Sequence, residues 1–283
     1  MDDHPEALFD RTDDGRWIPT EWSRGPWDPA HCHGGPVAAL LAREVERCEP
    51  GDVDWQVARV TIELTRPVPV GRPLTLVSSL ERPGKRVGLV AAFLLDDDVE
   101  VARVRGLRIR REASVTGDDR DAVDAIAAAH AGFDGDEHFP APPDECRPER
   151  PTFLGAEADR TSFATRACEH RFAEGSWAEP GPVAVWIRLT VPVVVGETPS
   201  GPQRTAAAAD FGNGVSHVLP WDRYLFINPD LTVHLARPAV GEWVGIRSIT
   251  RIGAEGAGLA ESAVFDDGGR VGRSLQSLFI SPR

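Results

Sequence analysis

Two stretches of the chain carry hydrophobic residues at helical spacing, and much of the remainder alternates hydrophobic and polar positions. Residues 34–48 place apolar side chains three and four positions apart, so that these side chains share one face of a helix. Pro36 suits the first turn of that helix. Residues 201–214 also contain a Gly-Pro pair at their start, and they end at Gly-Asn-Gly, a typical helix stop. The pattern predicts one main helix in each half of the chain.

The alternating segments predict β-strands, because hydrophobic residues at every second position line one face of a sheet. In the first half the predicted strands cover residues 16–22, 56–65, 74–81, 86–95 and 100–110. In the second half they cover residues 167–177, 182–194, 226–236, 243–251, 258–265 and 270–280. The chain is therefore predicted to be α+β, with antiparallel strands predominating.

The two halves of the chain repeat each other. Thr61 corresponds to Thr232 at an offset of 171 residues, and eight identities between Gly71 and Arg103 recur at a constant offset of 170. A unit of this length exceeds the roughly 20–50 residues of a solenoid repeat, so it is a whole domain present twice. We predict an N-terminal domain at residues 1–112, a linker at 113–160 with a short helix over 118–131, and a C-terminal domain at 161–283.

Composition and charge argue against several classes of function. The 283-residue chain has a formal net charge of −13, whereas nucleic acids and anionic membranes are bound by basic surfaces. The acidic N-terminus lacks the apolar core of a signal peptide, and no stretch approaches the roughly 18 apolar residues of a membrane span. The four cysteines lack CxxC spacing, which indicates neither a metal site nor a disulfide framework. We therefore predict a cytoplasmic protein that binds neither nucleic acid nor membrane.

Three motifs relate the repeat to a known family. They are His33-Gly34-Gly35-Pro36, Asn228-Pro229-Asp230-Leu231-Thr232-Val233-His234 followed by Arg237-Pro238, and Arg273-Ser274-Leu275-Gln276-Ser277. With them the chain resembles the acyl-CoA thioesterase II family, and more closely its bacterial thioesterase-like relatives, outside the linker. The resemblance implies a double hot-dog fold, in which two repeats of a long helix pack on a curved antiparallel sheet and the two sheets join edge to edge. It also implies acyl-CoA as the substrate, hydrolysis without a metal or organic cofactor, and, because hot-dog sheets often associate, a homo-oligomer.

The resemblance also implies which residues carry the chemistry. In the family an Asp, a Gln and a Thr of the second half hold the attacking water. Asp210 and Gln276 occupy the first two positions, whereas Asn228 stands where the family has Thr. Asn can still orient a water through its side-chain amide. The repeat counterparts of Asp210 and Gln276 are Glu44 and Gly106, so the second half is expected to carry the chemistry.

The start of the first helix is the expected substrate-binding segment. A backbone N–H at a helix N-terminus can polarise a thioester carbonyl, and glycine lets a substrate approach the backbone closely. We therefore expect Gly34 and Gly35 to contact the substrate, with His33 shaping the site or capping the helix. The tryptophans are expected either to line an acyl tunnel or, more simply, to pack in the core.

Other interpretations remain open at this stage. Asp28 and His33 are five residues apart, the spacing of the Asp and His of hot-dog hydratases, which add water to an enoyl-CoA. The Thr-to-Asn departure also permits a non-catalytic protein that binds acyl groups. Gln276 can be read as a hydrogen-bonded core amide, and Asn228 as the start of a strand. Arg108, Arg110 and Arg111 suit either CoA phosphates or, more simply, a solvated sheet edge.

Overall fold

The computed structural model describes residues 5–49, 51–112, 119–129, 138–151 and 161–283. The helices are α1 (Gly34–Arg47), α2 (Arg120–Ala129), α3 (Gly201–Ala209) and α4 (Gly212–Val215). The strands of the first half are β1 (Phe9–Arg11), β2 (Trp17–Pro19), β3 (Trp55–Glu63), β4 (Leu74–Arg82), β5 (Val87–Asp96) and β6 (Val99–Arg110). Those that follow are β7 (Arg147–Pro148), β8 (Cys168–Glu174), β9 (Val183–Leu189), β10 (Tyr224–Ile227), β11 (Asp230–Leu235), β12 (Trp243–Ile252), β13 (Ala257–Asp266) and β14 (Gly269–Pro282).

The strands form one continuous antiparallel sheet that spans both halves. Its order is β1-β2-β4-β5-β6-β3-β11-β14-β13-β12-β9-β8-β7, with β10 paired to β14. The halves meet where β3 pairs with β11, and there Thr61 lies directly opposite its own repeat counterpart Thr232. Since equivalent residues face each other at this point, the pseudo-two-fold axis of the duplication passes between these two threonines. The edge-to-edge junction expected from the sequence is therefore present.

The two main helices pack together against one face of this sheet. α1 contacts β3, β5 and β6, whereas α3 contacts β9, β11, β12 and β13. The helices approach so closely that a Cβ atom added to Gly35 would lie 2.9 Å from the backbone oxygen of Ala207. A single hydrophobic cluster fills the space between the helices and the sheet and includes residues of both halves. The helices thus lie at the centre of the molecule, with their ends close to each other.

The prediction of one helix over residues 201–214 is wrong. α3 stops at Ala209, and the short helix α4 begins at Gly212, so the second long helix is broken at Asp210-Phe211. The amide of Gln276 donates to the backbone oxygen of Asp210 at 3.2 Å and thereby takes a carbonyl that a continuing helix would use. The first helix, by contrast, runs uninterrupted for 14 residues.

A size exchange between helix and strand explains this difference. In the first half Gly106 leaves room for Val45 of α1, since a Cβ added to Gly106 would lie 2.2 Å from Cγ1 of that valine. In the second half Gln276 stands at the position equivalent to Gly106, and Gly212 leaves room for its side chain, 2.8 Å from a would-be Cβ. The first half therefore fills this space with hydrocarbon, whereas the second half fills it with an amide.

Part of the predicted linker packs on the opposite face of the sheet. Phe139 and Cys146 form a second, smaller hydrophobic cluster with Trp186 of β9 and Phe265 of β13. The predicted short helix is present as α2, although residues 113–118, 130–137 and 152–160 of the linker lie outside the described residues. The four cysteines are free. No helix in the described part of the chain is long and apolar enough to cross a membrane.

Arg108 is not at a solvated edge, as the simpler reading of the arginine-rich strand ends proposed. Its side chain is fully buried between β6 and α1, where it donates to the backbone oxygen of Cys48 at 2.7 Å and stacks on Trp55. Burial lowers the pKa of its guanidinium. The cation binds the carbonyl end of α1, which the helix dipole makes favourable, so it is not available to a CoA phosphate.

Candidate active site

A cavity of about 410 Å³ lies between the two halves. The first half contributes residues from 25 to 37 and from 64 to 68, and the second half contributes Asp210, Phe211 and the segment around Asn228. Much of the wall is apolar or aromatic, including Val37, Leu64, Trp27, Trp177 and Trp221. A space of this size and lining is typical of a site for a small organic ligand.

Asp210 stands at the point where the two helices meet. It follows the last residue of α3, and its side chain is only 3% exposed. The negative end of its own helix dipole disfavours a carboxylate, but the side chain crosses to the N-terminus of α1, where the dipole is favourable. A Cβ added to Gly34 would lie 2.7 Å from both carboxylate oxygens. The missing side chain of Gly34 is what allows this approach.

Asp210, Asn228 and Gln276, the residues expected to carry the chemistry, lie together. The side-chain amide of Asn228 donates to Oδ1 of Asp210 at 2.8 Å, and Nε2 of Gln276 approaches the same oxygen at 3.4 Å. Gln276 also accepts a hydrogen bond from the backbone N–H of Asn213 at 3.0 Å. Only Asp210 and Asn228 line the cavity, whereas Gln276 is 1% exposed and lies behind them. Gln276 therefore acts on the cavity through Asp210.

His33 is the fourth member of this cluster, and its contact with Asp210 was not expected from the sequence. Its Nδ1 lies 2.8 Å from Oδ2 of Asp210 and 3.0 Å from the backbone nitrogen of Gly35. The imidazole is 12% exposed and lines the cavity. The rings of Phe163 and Phe211 hold it, with centroids 5.1 and 4.8 Å away. The two oxygens of Asp210 are thus each bound to a different cavity-lining side chain.

Comparison with known proteins assigns a family to this site. A sequence model of the acyl-CoA thioesterase N-terminal domain matches residues 23–109, and one of the acyl-CoA thioesterase C-terminal domain matches residues 143–280. The chain belongs to the acyl-CoA thioesterase family. It is therefore a thioester hydrolase, and the matches to successive N- and C-terminal domains confirm the internal duplication. The domain boundaries at residues 112 and 160 stay predictions.

Solved structures place the thioesterase in the hot-dog fold. A hot-dog protein of unknown function from Alicyclobacillus acidocaldarius superposes with a TM-score of 0.69 at 14% identity, over 95% of each chain. The tesB protein of Mycobacterium avium subspecies paratuberculosis gives 0.64 at 14% identity, covering 97% of this chain and 96% of that one. Acyl-CoA thioesterase II TesB2 of Mycobacterium marinum gives 0.61 at 12%, covering 97% and 95%. At these identities the likeness concerns the fold alone. A search of curated protein sequences finds no match.

Asp28 does not form the hydratase-like pair with His33 that the sequence spacing suggested. Its carboxylate lies 3.4 Å from Nδ1 of His31 and accepts from the backbone N–H of Ala30. Both Asp28 and His31 lie at the same cavity, but each is substantially exposed. In the thioesterase the carboxylate that contacts His33 is Asp210, from the other half of the chain.

The expected substrate-binding glycines have different positions. Gly34 lines the cavity, and its backbone N–H, at the first residue of α1, donates to no described residue. Gly35 is buried away from the cavity wall, where a Cβ would lie 2.6 Å from the ring of Phe163. Gly34 is therefore placed to meet a substrate, whereas Gly35 serves the close packing of α1.

Replacing Gly34 with alanine is expected to lower thioesterase activity by about 10–100-fold. The new methyl group would push the Asp210 carboxylate from its position, and a displacement of about 1 Å in a catalytic site can cost about 100-fold. Steady-state kinetics with an acyl-CoA substrate measure the loss. Gly214→Ala is the matched control, because Gly214 lines the same cavity and its would-be Cβ has open space up to Trp221, 3.9 Å away. Equal losses in the two variants would contradict the role assigned to Gly34.

Proposed function

We propose that the thioesterase hydrolyses an acyl-CoA by means of a water held in the cavity by Asp210, Asn228 and Gln276. The observation that carries this proposal is the convergence of these three side chains beside the cavity. Asp210 supplies negative charge, and Asn228 presents a carbonyl oxygen that accepts from no described residue. Gln276 contributes by fixing Asp210 from behind.

The N-terminus of α1 supplies the complementary positive potential. Attack of water on the thioester carbon moves negative charge to the carbonyl oxygen, and a backbone N–H aimed at that oxygen stabilises it. The N–H of Gly34 is available for this purpose, and the dipole of α1 adds to its effect. Water and substrate would then meet between the end of α3 and the start of α1.

The asparagine that replaces the family threonine is compatible with this arrangement. Asn228 uses its amide nitrogen to hold Asp210, and an amide offers a donor and an acceptor at once. The departure therefore exchanges a hydroxyl for a group with the same two hydrogen-bonding functions. A homo-oligomer in the cytoplasm, as expected from the sequence, stays a prediction.

A panel of acyl-CoA substrates tests the proposal. Short, medium, long and aromatic acyl-CoAs are incubated with the purified protein, and the released CoA thiol is measured with a thiol reagent. We expect thiol release above the uncatalysed rate for at least one class. Absence of release from all four classes, with the protein folded by circular dichroism, would overturn the proposal. Binding of a substrate without release would identify a protein that binds acyl groups instead.

A further inference from the structure

We propose that His33 is the base of the reaction and that Asp210 acts on the water through this imidazole. The inference rests on the proposed function and alters the part of Asp210 within it. The observation behind it is that His33 and Asp210 are in direct contact, while the ring of His33 also lines the cavity.

The protonation of His33 follows from the short contact with Asp210. A nitrogen and a carboxylate oxygen 2.8 Å apart need a proton between them, because two lone pairs would repel. The backbone N–H of Gly35 also points at Nδ1, at 3.0 Å, but one nitrogen cannot both donate and accept along these directions. The carboxylate contact is shorter and charge-assisted, so it determines the tautomer. Nδ1 therefore carries the proton.

This tautomer leaves the other ring nitrogen as an acceptor. Nε2 forms no hydrogen bond with any described residue, and the ring that carries it faces the cavity. A carboxylate that holds Nδ1–H and leaves Nε2 free is the arrangement by which Asp orients His in serine hydrolases. Here the imidazole would receive its proton from water instead of a serine hydroxyl.

Asp210 itself is poorly placed to be the proton acceptor. Its Oδ1 is bound by Asn228 and approached by Gln276, and its Oδ2 is bound by His33. Hydrogen bonds to the charged form of a carboxylate favour that form and reduce its tendency to take up a proton. The same bonds make Asp210 a rigid support for the ring of His33. Orientation, not proton uptake, is the function that three donors allow.

The proposed step balances with water and acyl-CoA alone. A proton passes from water to Nε2 of His33, while the water oxygen bonds to the thioester carbon and the carbonyl π electrons move to its oxygen. When the carbonyl re-forms, the carbon–sulfur bond breaks and its electron pair leaves with sulfur. The CoA thiolate then takes the proton from Nε2. The products are the carboxylic acid and CoA, with His33 and Asp210 unchanged.

The experiment compares wild type, His33→Gln and His31→Gln on an acyl-CoA that wild type hydrolyses. For wild type we expect an acid limb of kcat/KM at roughly pH 6–7, the imidazole range, instead of the carboxylate range near 4. For His33→Gln we expect kcat to fall about 10²–10⁴-fold, with KM changed by less than about threefold. His31→Gln, which removes a histidine of the same cavity bound only to Asp28, should behave as wild type.

Other charged and titratable groups near His33 are Asp210 at the end of α3 and His170 on β8, with Asp28, His31 and Arg66 elsewhere on the cavity wall. The His31→Gln profile separates the contribution of the Asp28–His31 pair. Added imidazole should restore part of the activity of His33→Ala, a result that a purely structural role would not give.

Several outcomes would overturn the inference. One is a wild-type acid limb in the carboxylate range, which decides the matter even if the His33 variants fail to fold. Another is a folded His33→Gln enzyme within about threefold of wild type. Either result would leave the proposed function intact with Asp210 as the base. Wild-type protein that releases no thiol from any acyl-CoA would instead contradict the proposed function itself.

Discussion

Replacing Asp210 with asparagine is expected to lower kcat for acyl-CoA hydrolysis by about 10³–10⁴-fold without unfolding the protein. Asparagine has nearly the same shape, but its amide presents one acceptor and one donor. Both partners of the native carboxylate, Nδ2 of Asn228 and Nδ1 of His33, donate to it. The new NH2 group must therefore face one of them, and His33 can adapt only by moving its proton to Nε2. Loss of the correct tautomer costs about 10⁴-fold in serine hydrolases.

The measurement is steady-state kinetics of thiol release, with thermal unfolding to check the fold. Asp28→Asn is the matched control, since Asp28 is a carboxylate of the same cavity that contacts His31 and not the cluster around Asp210. We expect this control to stay within about threefold of wild type. An Asp210→Asn enzyme with more than a tenth of wild-type activity would show that the carboxylate is dispensable.

The fold could be predicted from the sequence because it is repeated in it. The offset of 171 residues that relates Thr61 to Thr232 also sets the register in which β3 and β11 pair. The hydrophobic pattern placed most strands within a few residues, since both faces of this sheet differ in burial. It did not reveal the break in the second helix. That break depends on the amide of Gln276, which lies 66 residues further along the chain.

The site was only partly predictable, for a related reason. Family resemblance identified Asp210, Asn228 and Gln276, and the structure brings them together. Local spacing instead connected His33 with Asp28, five residues away, although its partner is Asp210, 177 residues away. Only the packing of α1 against α3 creates that contact. The one local signal for it was Gly34, whose missing side chain accommodates the carboxylate.

Acidification is expected to weaken the thioesterase through His170, which was not singled out as a functional residue. Its ring is 2% exposed, packs edge-on to Trp177 and Phe211, and leaves Nε2 without a hydrogen-bond partner. Burial, followed by the nearby His33, lowers the pKa of His170 to about 3. The folded state therefore favours neutral imidazole, whereas the unfolded chain titrates near about 6.5. Above that pH the stabilisation is complete.

Between pH 6.5 and 3 the unfolded chain binds the proton first, so the free energy of unfolding should fall with pH. One group contributes about 1.4 kcal/mol per pH unit in this window, or on the order of 4 kcal/mol over its whole width. His170→Phe keeps a flat ring in an aromatic environment and removes the titration. Urea unfolding at pH 6.5 and 4.5 should therefore show a smaller loss for this variant, by about 3 kcal/mol.

His234→Gln provides the control for this pH experiment, because His234 is an exposed residue of β11 whose replacement should leave the pH dependence unchanged. Other groups also titrate between pH 6.5 and 4.5, so the comparison between variants, not the decline of wild type alone, isolates His170. If His170→Phe lost as much stability as wild type over this range, the buried imidazole would have to be charged in the folded protein. It would then need an anionic partner, and the aromatic rings around it offer none, so burial without a partner is the feature that makes His170 a liability in acid.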